Sequence, residues 1–235
     1  MNKILFGMLG MLLVVTAHAA EPGQAIVVTT QGWSDVQGTA QRYVRDAGHH
    51  WQKVGDPFPV VVGKTGLGWG RGRVDAAGLA GPEKREGDGK APAGIFSLTS
   101  AFGYEPSANT RLPYLPLSDT IECVDDGRSA HYNQLVDSAR VPKDWNSTEH
   151  MHRPDELYHF GVYVAHNTKP AIPGDGSCIF LHIWRGPDQG TVGCTAMGRS
   201  NIEMLLAWLD PKRAPVLMQM PRSQYDQQRL AWDMP

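Results

Sequence analysis

Short β-type runs broken by turn residues constrain this chain most, because its N-terminal third holds no helical periodicity. Residues 24–30 (Gln-Ala-Ile-Val-Val-Thr-Thr) are dense in β-branched side chains, which suit a pleated, half-buried surface. Residues 41–46 alternate polar and apolar and stop at Ala47-Gly48, and similar runs follow at 50–54 and 59–63. Such spacing predicts a β-meander. The 26 glycines and 17 prolines agree with a loop-rich fold. Residues 63–94 read as one long glycine-dense loop, of the kind that covers or builds a site. Residues 104–156 read as irregular, and strands are expected again at 158–166, 177–184 and 215–220. One helix is signalled: Ser200 with Glu203 three residues on forms a capping box. Ile202, Leu205, Leu206 and Leu209 then make one apolar stripe, and Asp210-Pro211 stops the helix. The expected class is mainly β.

Charge narrows the function. With 22 Lys+Arg against 24 Asp+Glu, the net charge of −2 offers no basic excess for nucleic acid. Residues 1–20 place Lys3 before an apolar run from Ile4 to Val15, then Ala17-His18-Ala19, the three-part layout of a secretory signal peptide. The run is too short to span a bilayer, and no later segment is long or apolar enough. The reading is a signal peptide over 1–20, with an uncleaved membrane anchor as the competing reading, a single domain over 21–235, and work outside the cytoplasm.

The chemistry concentrates between Ser177 and Cys194. A buried-looking strand delivers His182 near its end, a Gly/Pro/Asp loop from Arg185 to Gly190 turns the chain, and Thr191-Val192-Gly193-Cys194 follows. If the loop reverses tightly, His182 and Cys194 meet at one edge of the sheet. A thiolate is the nucleophilic form of cysteine, and a neighbouring imidazole supplies it by taking the proton. Gly193 then lets the backbone expose the sulfur, with nearby N–H groups for an oxyanion. The competing reading is a buried cysteine beside a satisfied strand histidine.

Thr-Val-Gly-Cys after a strand histidine resembles the signature of the L,D-transpeptidase catalytic domain, the YkuD-like family. Lys90-Ala91-Pro92-Ala93-Gly94-Ile95-Phe96, after a Val-rich strand ending in Gly63-Lys64, is similar to a second family segment. The likeness runs from about residue 25 to 220. It implies a β-sandwich-like domain with a short helix and no cofactor. It also implies Cys194 as acyl-accepting nucleophile, His182 as base, and Thr191 and Gly193 as shapers of the oxyanion pocket. The chain departs from the pattern in three ways: Val192 replaces a second histidine, the spacer between His182 and Thr191 is short, and Thr195-Ala196-Met197 follows the cysteine. These mark a divergent branch.

The resemblance further implies acyl transfer on peptidoglycan stem peptides in the cell envelope, in the periplasm. A thioester on Cys194 passes to a stem amine, to water, or to a free D-amino acid. The rivals are a wall-binding module without catalysis and an envelope zinc peptidase. His150, His152, His159 and His166 match no zinc-site spacing, so no metal is expected. Trp184 and Arg185 adjoin the strand end, where a guanidinium suits a carboxylate. His166 reads as a substrate-facing or supporting residue, and Tyr132 as lining a pocket for a polar peptide or lying in a solvated loop. Of the three cysteines, Cys123 and Cys178 either form a disulfide in an oxidising compartment, leaving Cys194 free, or stay as buried thiols. Residues 224–235 either pack as a clasp or fray.

Overall fold

Strand β1 (Gln24–Thr30) lies at the centre of the computed structural model, which describes residues 20–235. The expected signal peptide falls on residues 1–20 and so, Ala20 apart, lies outside the described residues. The alternating pattern of the N-terminal third produces antiparallel neighbours: β1 pairs with β2 (Gln37–Arg45), and β2 with β3 (Trp51–Val61). The two runs expected at 50–54 and 59–63 are one continuous strand, with Pro57 and Pro59 inside it.

The expected loop 63–94 is not wholly loop. It contains β4 (Leu67–Trp69) and the start of β5 (Ala91–Gly103). Two of its glycines meet steric limits: a Cβ on Gly66 would stand 1.9 Å from Trp33 O, and one on Gly63 would stand 2.3 Å from Gly89 O. The loop is therefore packed tightly against the β1–β2 connection at Trp33 and against itself at Gly89. The stretch 104–156 is also more regular than expected. It holds β6 (Tyr114–Pro116) and a three-stranded sheet of β7 (Ile121–Val124), β8 (Leu135–Asp137) and β9 (Thr148–His150), with β7 in the middle. Strands this short leave little period-two signal to read.

Then come β10 (Phe160–Val164), β11 (Phe180–Ile183), β12 (Thr195–Met197), helix α1 (Arg199–Trp208), β13 (Val216–Pro221) and α2 (Arg222–Gln228). The expected strand 177–184 begins only at Phe180, because Cys178 is left-handed (φ 56°) and cannot continue a ladder. The expected strand 158–166 gives its first residue to a 3₁₀ turn, Glu156–Tyr158.

The main sheet runs β10-β11-β12-β3-β2-β1-β13-β5, and β5 pairs again with β10. Gly94 to Ser97 of β5 face β13, while the same strand pairs onward with β10 as far as Gly103. This 13-residue strand joins the two layers, so the mainly β domain is sandwich-like with its layers closed on one another. The core between them includes Ile26, Val28, Phe96, Leu181, Met197 and Leu217.

Helix α1 closes this core with Ile202, Leu205 and Leu206, and Leu209 at its C-cap is buried too. The capping box does not form. Gly198 is the N-cap with no side-chain bond, Ser200 lies inside the helix, and Glu203 pairs with Arg199 at 3.1 Å. The tail packs as a clasp: Tyr225 and Met234 are buried, and Trp232 sets its ring edge-to-face with Trp69 at 5.9 Å.

Cys123 and Cys178 are joined by a disulfide across 55 residues of sequence, tying β7 to the segment entering β11. A cross-link over a loop that long removes substantial unfolded-state entropy. We expect Cys123→Ser with Cys178→Ser to cost about 2–4 kcal/mol in denaturant unfolding, and an unchanged midpoint would refute this.

Candidate active site

Strands β11 and β12 are parallel neighbours with Leu181 opposite Thr195 and His182 opposite Ala196. Because side chains alternate along a strand, Ala196 and Cys194 share a face, and His182 shares it across the pair. All three line one cavity of about 190 Å³. The loop between the strands is pinned to the end of β3: Thr191 N–H donates to Val62 O at 2.9 Å, and Lys64 N–H to Thr191 O at 2.7 Å. Gly190 must be glycine, since a Cβ there would come within 2.6 Å of Lys64 Cα.

His182 is 6% and Cys194 3% exposed. The His182 Nδ1–H donates to Ile183 O at 2.8 Å, which fixes the tautomer and leaves Nε2 unprotonated. Burial pushes the imidazole down to about 4, and only part of this is offset by the Ile183 bond. Burial likewise pushes the thiol up to about 12, and the Glu149 charge adds to that rise. At neutral pH the pair is thus thiol and neutral imidazole. The Phe180 N–H points at Cys194 Sγ at 3.4 Å, and Sγ lies 3.6 Å from Cys178 O.

Thr191 organises the turn before the cysteine. Its hydroxyl donates to Cys194 O at 2.6 Å and accepts from Gly193 N–H at 3.1 Å. The Gly193 amide is therefore engaged within the turn. The Cys194 amide makes no such bond among the described residues. Gly193 has ordinary backbone angles, and its role is spatial: a Cβ would sit 3.3 Å from Lys90 O.

The cavity also holds Trp184 and Arg185, and Arg185 reaches Asp155 at 3.2 Å. Val192 stands at its mouth, 69% exposed. His166 and Tyr132 are not brought here. His166 is buried under Gly70 and Gly176 with its Nε2–H on Asp175 O at 3.0 Å, and Tyr132 donates to Glu86 at 2.6 Å. Both brace the loops beside Asn133 and Asn167 instead of facing the cysteine, because their positive-φ neighbours turn the chain inward.

Three residues lining the cavity carry no local sequence signal: Glu149 on β9, Arg153, and Tyr158 at the end of the 3₁₀ turn. Tyr158 OH donates to Glu149 Oε1 at 2.6 Å, Arg153 lies over the Tyr158 ring at 5.2 Å, and that ring meets His182 edge-to-face at 5.1 Å. Their convergence depends on the small sheet, whose strands sequence reading missed.

A cysteine and a tautomer-fixed histidine on one face of a parallel strand pair, in a buried cavity, suit covalent acyl transfer. The family profile of YkuD, the L,D-transpeptidase catalytic domain, matches residues 32–218. The chain belongs to the YkuD family. Among curated proteins none matches it. Both the candidate nucleophile and base of this YkuD domain lie within the matched span.

His182 and His166 are both buried neutral and pushed down to about 4. An unfolded imidazole binds its proton near 6.5, so the unfolded chain gains protons first as pH falls. Stability is full above about 6.5 and is lost toward 4, by on the order of 3 kcal/mol for each histidine. Denaturant midpoints at pH 7 and pH 4.5 check this, and His166→Gln is expected to flatten the slope.

Proposed function

We propose that this YkuD domain forms cross-links in peptidoglycan by L,D-transpeptidation, with Cys194 as nucleophile and His182 as base. The observation that carries the reading is the common face of His182 and Cys194 in one cavity, with the imidazole tautomer set by Ile183 O. Cys194 Sγ attacks the carbonyl of an L-configured centre in a donor stem as its proton passes to His182 Nε2. The oxyanion takes the free Cys194 amide. The tetrahedral adduct collapses, His182 returns the proton to the departing amine, and a D-amino acid leaves. An amine from a second stem then opens the thioester, its proton passes by way of His182 to the sulfur, and the thiol is restored.

A pair that is neutral at rest creates charge only during attack, so acylation needs a bound carbonyl rather than a standing thiolate. Trp184, Val192 and the Arg185 guanidinium at the cavity rim suit an apolar contact and a carboxylate of the stem. The chain acts in the cell envelope after export, which the Cys123–Cys178 disulfide favours.

Purified protein incubated with disaccharide-tetrapeptide, with products followed by mass spectrometry, tests the proposal. A cross-linked dimer that Cys194→Ala abolishes is expected. His182→Gln should lower the rate about 10²–10⁴-fold, and the acid limb of the wild-type rate should fall near pH 4. A tripeptide alone would make the chain a carboxypeptidase. No turnover, with Cys194 inert to acylating β-lactams, would leave a binding module.

A further inference from the structure

One cavity outside the catalytic one has charges that do not balance. The chain as a whole carries more acid than base, with a net charge of −2. A cavity of about 550 Å³ beside β10 nevertheless collects Arg71, Arg73 and Lys169 with no carboxylate in its lining. Its larger neighbour, about 640 Å³, shares Arg71 and Arg73 but sets Asp75, Glu83 and Asp175 against its cations, so it offers an anion little. The one carboxylate near Arg71 among the described residues is Asp175 at 3.6 Å, too long for a hydrogen bond.

Strand alternation builds the floor of the smaller cavity. Ser97, Thr99, Tyr163 and Ala165 line it, while Leu98 and Val164 between them are buried in the core. Arg71-Gly72-Arg73 makes one wall. Arg73 N–H donates to Ile95 O at 2.7 Å, and a Cβ on Gly72 would stand 2.2 Å from that oxygen. Residues 167–170 make the other wall, and Asn167 N–H ties the two by donating to Arg71 O at 2.8 Å. The buried Asn167 side chain is satisfied, its Nδ2 donating to Ile172 O and its Oδ1 accepting from Ile172 N–H, each at 2.9 Å. The Arg73 guanidinium is fixed by Ser97 Oγ at 3.3 Å and Ala20 O at 2.8 Å. The Lys169 ammonium and the hydroxyls of Thr99 and Thr168 make no side-chain hydrogen bond among the described residues, which leaves them as open donors.

We propose that this groove is a second binding site, which holds the carboxylates of a peptidoglycan stem peptide other than the one under attack. Its ligand rests on the peptidoglycan reading above. A guanidinium takes a carboxylate through two parallel N–H bonds, and an ammonium adds a compact charge beside it. Walls tied by backbone bonds have little freedom left to lose when a ligand enters. The position suits the task. On β10 and β11, Gly161 stands opposite His182 and Tyr163 opposite Phe180, so the groove floor and the catalytic histidine share one face of the ladder. The four-residue step from Gly161 to Ala165 spans about 13 Å. The groove and the catalytic cavity have no lining residue in common. A stem held in the groove therefore keeps the wall close to Cys194 without occupying its cavity, which raises the effective concentration of further stems.

The probe is disaccharide-tetrapeptide, titrated into the full protein carrying Cys194→Ala to stop turnover, with backbone amide shifts as the readout. Shifts are expected at Ser97, Thr99, Ala165 and Lys169, separate from any at Thr195 and Ala196. Arg71→Gln and Lys169→Gln should each weaken the Kd read at the groove amides about tenfold. In a background that keeps Cys194, both should leave its alkylation by iodoacetamide unchanged. The same probe with its carboxylates converted to carboxamides should also bind about tenfold more weakly, and about 0.5 M salt should weaken the native probe. Silent groove amides, equal binding of the carboxamide form, or full binding by the double variant would overturn the site. Displacement by an equal concentration of inorganic phosphate would show that the groove reads charge alone, and would overturn the peptide assignment. If the groove binds the probe but wild-type protein forms no cross-linked dimer, the site stands and the transpeptidation reading fails. Cross-linking with a silent groove sinks the site alone.

Discussion

The site depends on a parallel strand pair made without a helical crossover. Parallel neighbours need a connection of a dozen or more residues, usually through a helix. Here residues 184–194 alone join β11 to β12. A connection that short must run taut, and it does so by pairing Thr191 with the end of β3, where Gly63 and Gly190 allow backbones to touch. The register that results sets the C-terminal part of one strand beside the start of the next. The cysteine and histidine line one cavity because of backbone geometry, before any interaction between their side chains.

Burial then decides the electrical state of the pair. Lifting the thiol and depressing the imidazole removes the ion pair that an exposed Cys–His couple tends to form. The cost of separating charge is deferred to the moment of attack, when amides already oriented by the fold can meet it. Thr191 is part of this arrangement, holding the turn by two bonds of its hydroxyl.

What the sequence displayed was whatever repeats at short range. Strand β1 and the stripe of α1 were plain from alternation and helical spacing, and the His182 to Cys194 segment was plain from residue type and spacing. The long β5 escaped because its Pro92 and Gly94 look like loop residues, although both sit in ladders, Pro92 opposite Gly68 of β4 and Gly94 opposite Gln219 of β13. The sheet of β7, β8 and β9 escaped because two of its strands have three residues each, so its stability comes from tertiary pairing and not from pattern. Glu149 and Tyr158 were hidden with it. Ser200 carried a capping signal that lost to the backbone at Gly198, where the chain had already entered the helix.

The disulfide has a consequence for how the molecule reaches its native state. Cys123 pairs across the ladder with Glu149, and the carbonyl of Cys178 lies against the Cys194 sulfur, so all three sulfur atoms belong to one neighbourhood. Three cysteines allow three pairings, and two of them consume the thiol at the cavity. Either of those two pairings would leave Cys194 without its free thiol. The left-handed turn at Cys178, held by Asn133 Oδ1 on its amide, aims that residue at Cys123 and away from its other neighbour. Asn133 thereby holds Cys178 in the conformation in which it is joined to Cys123.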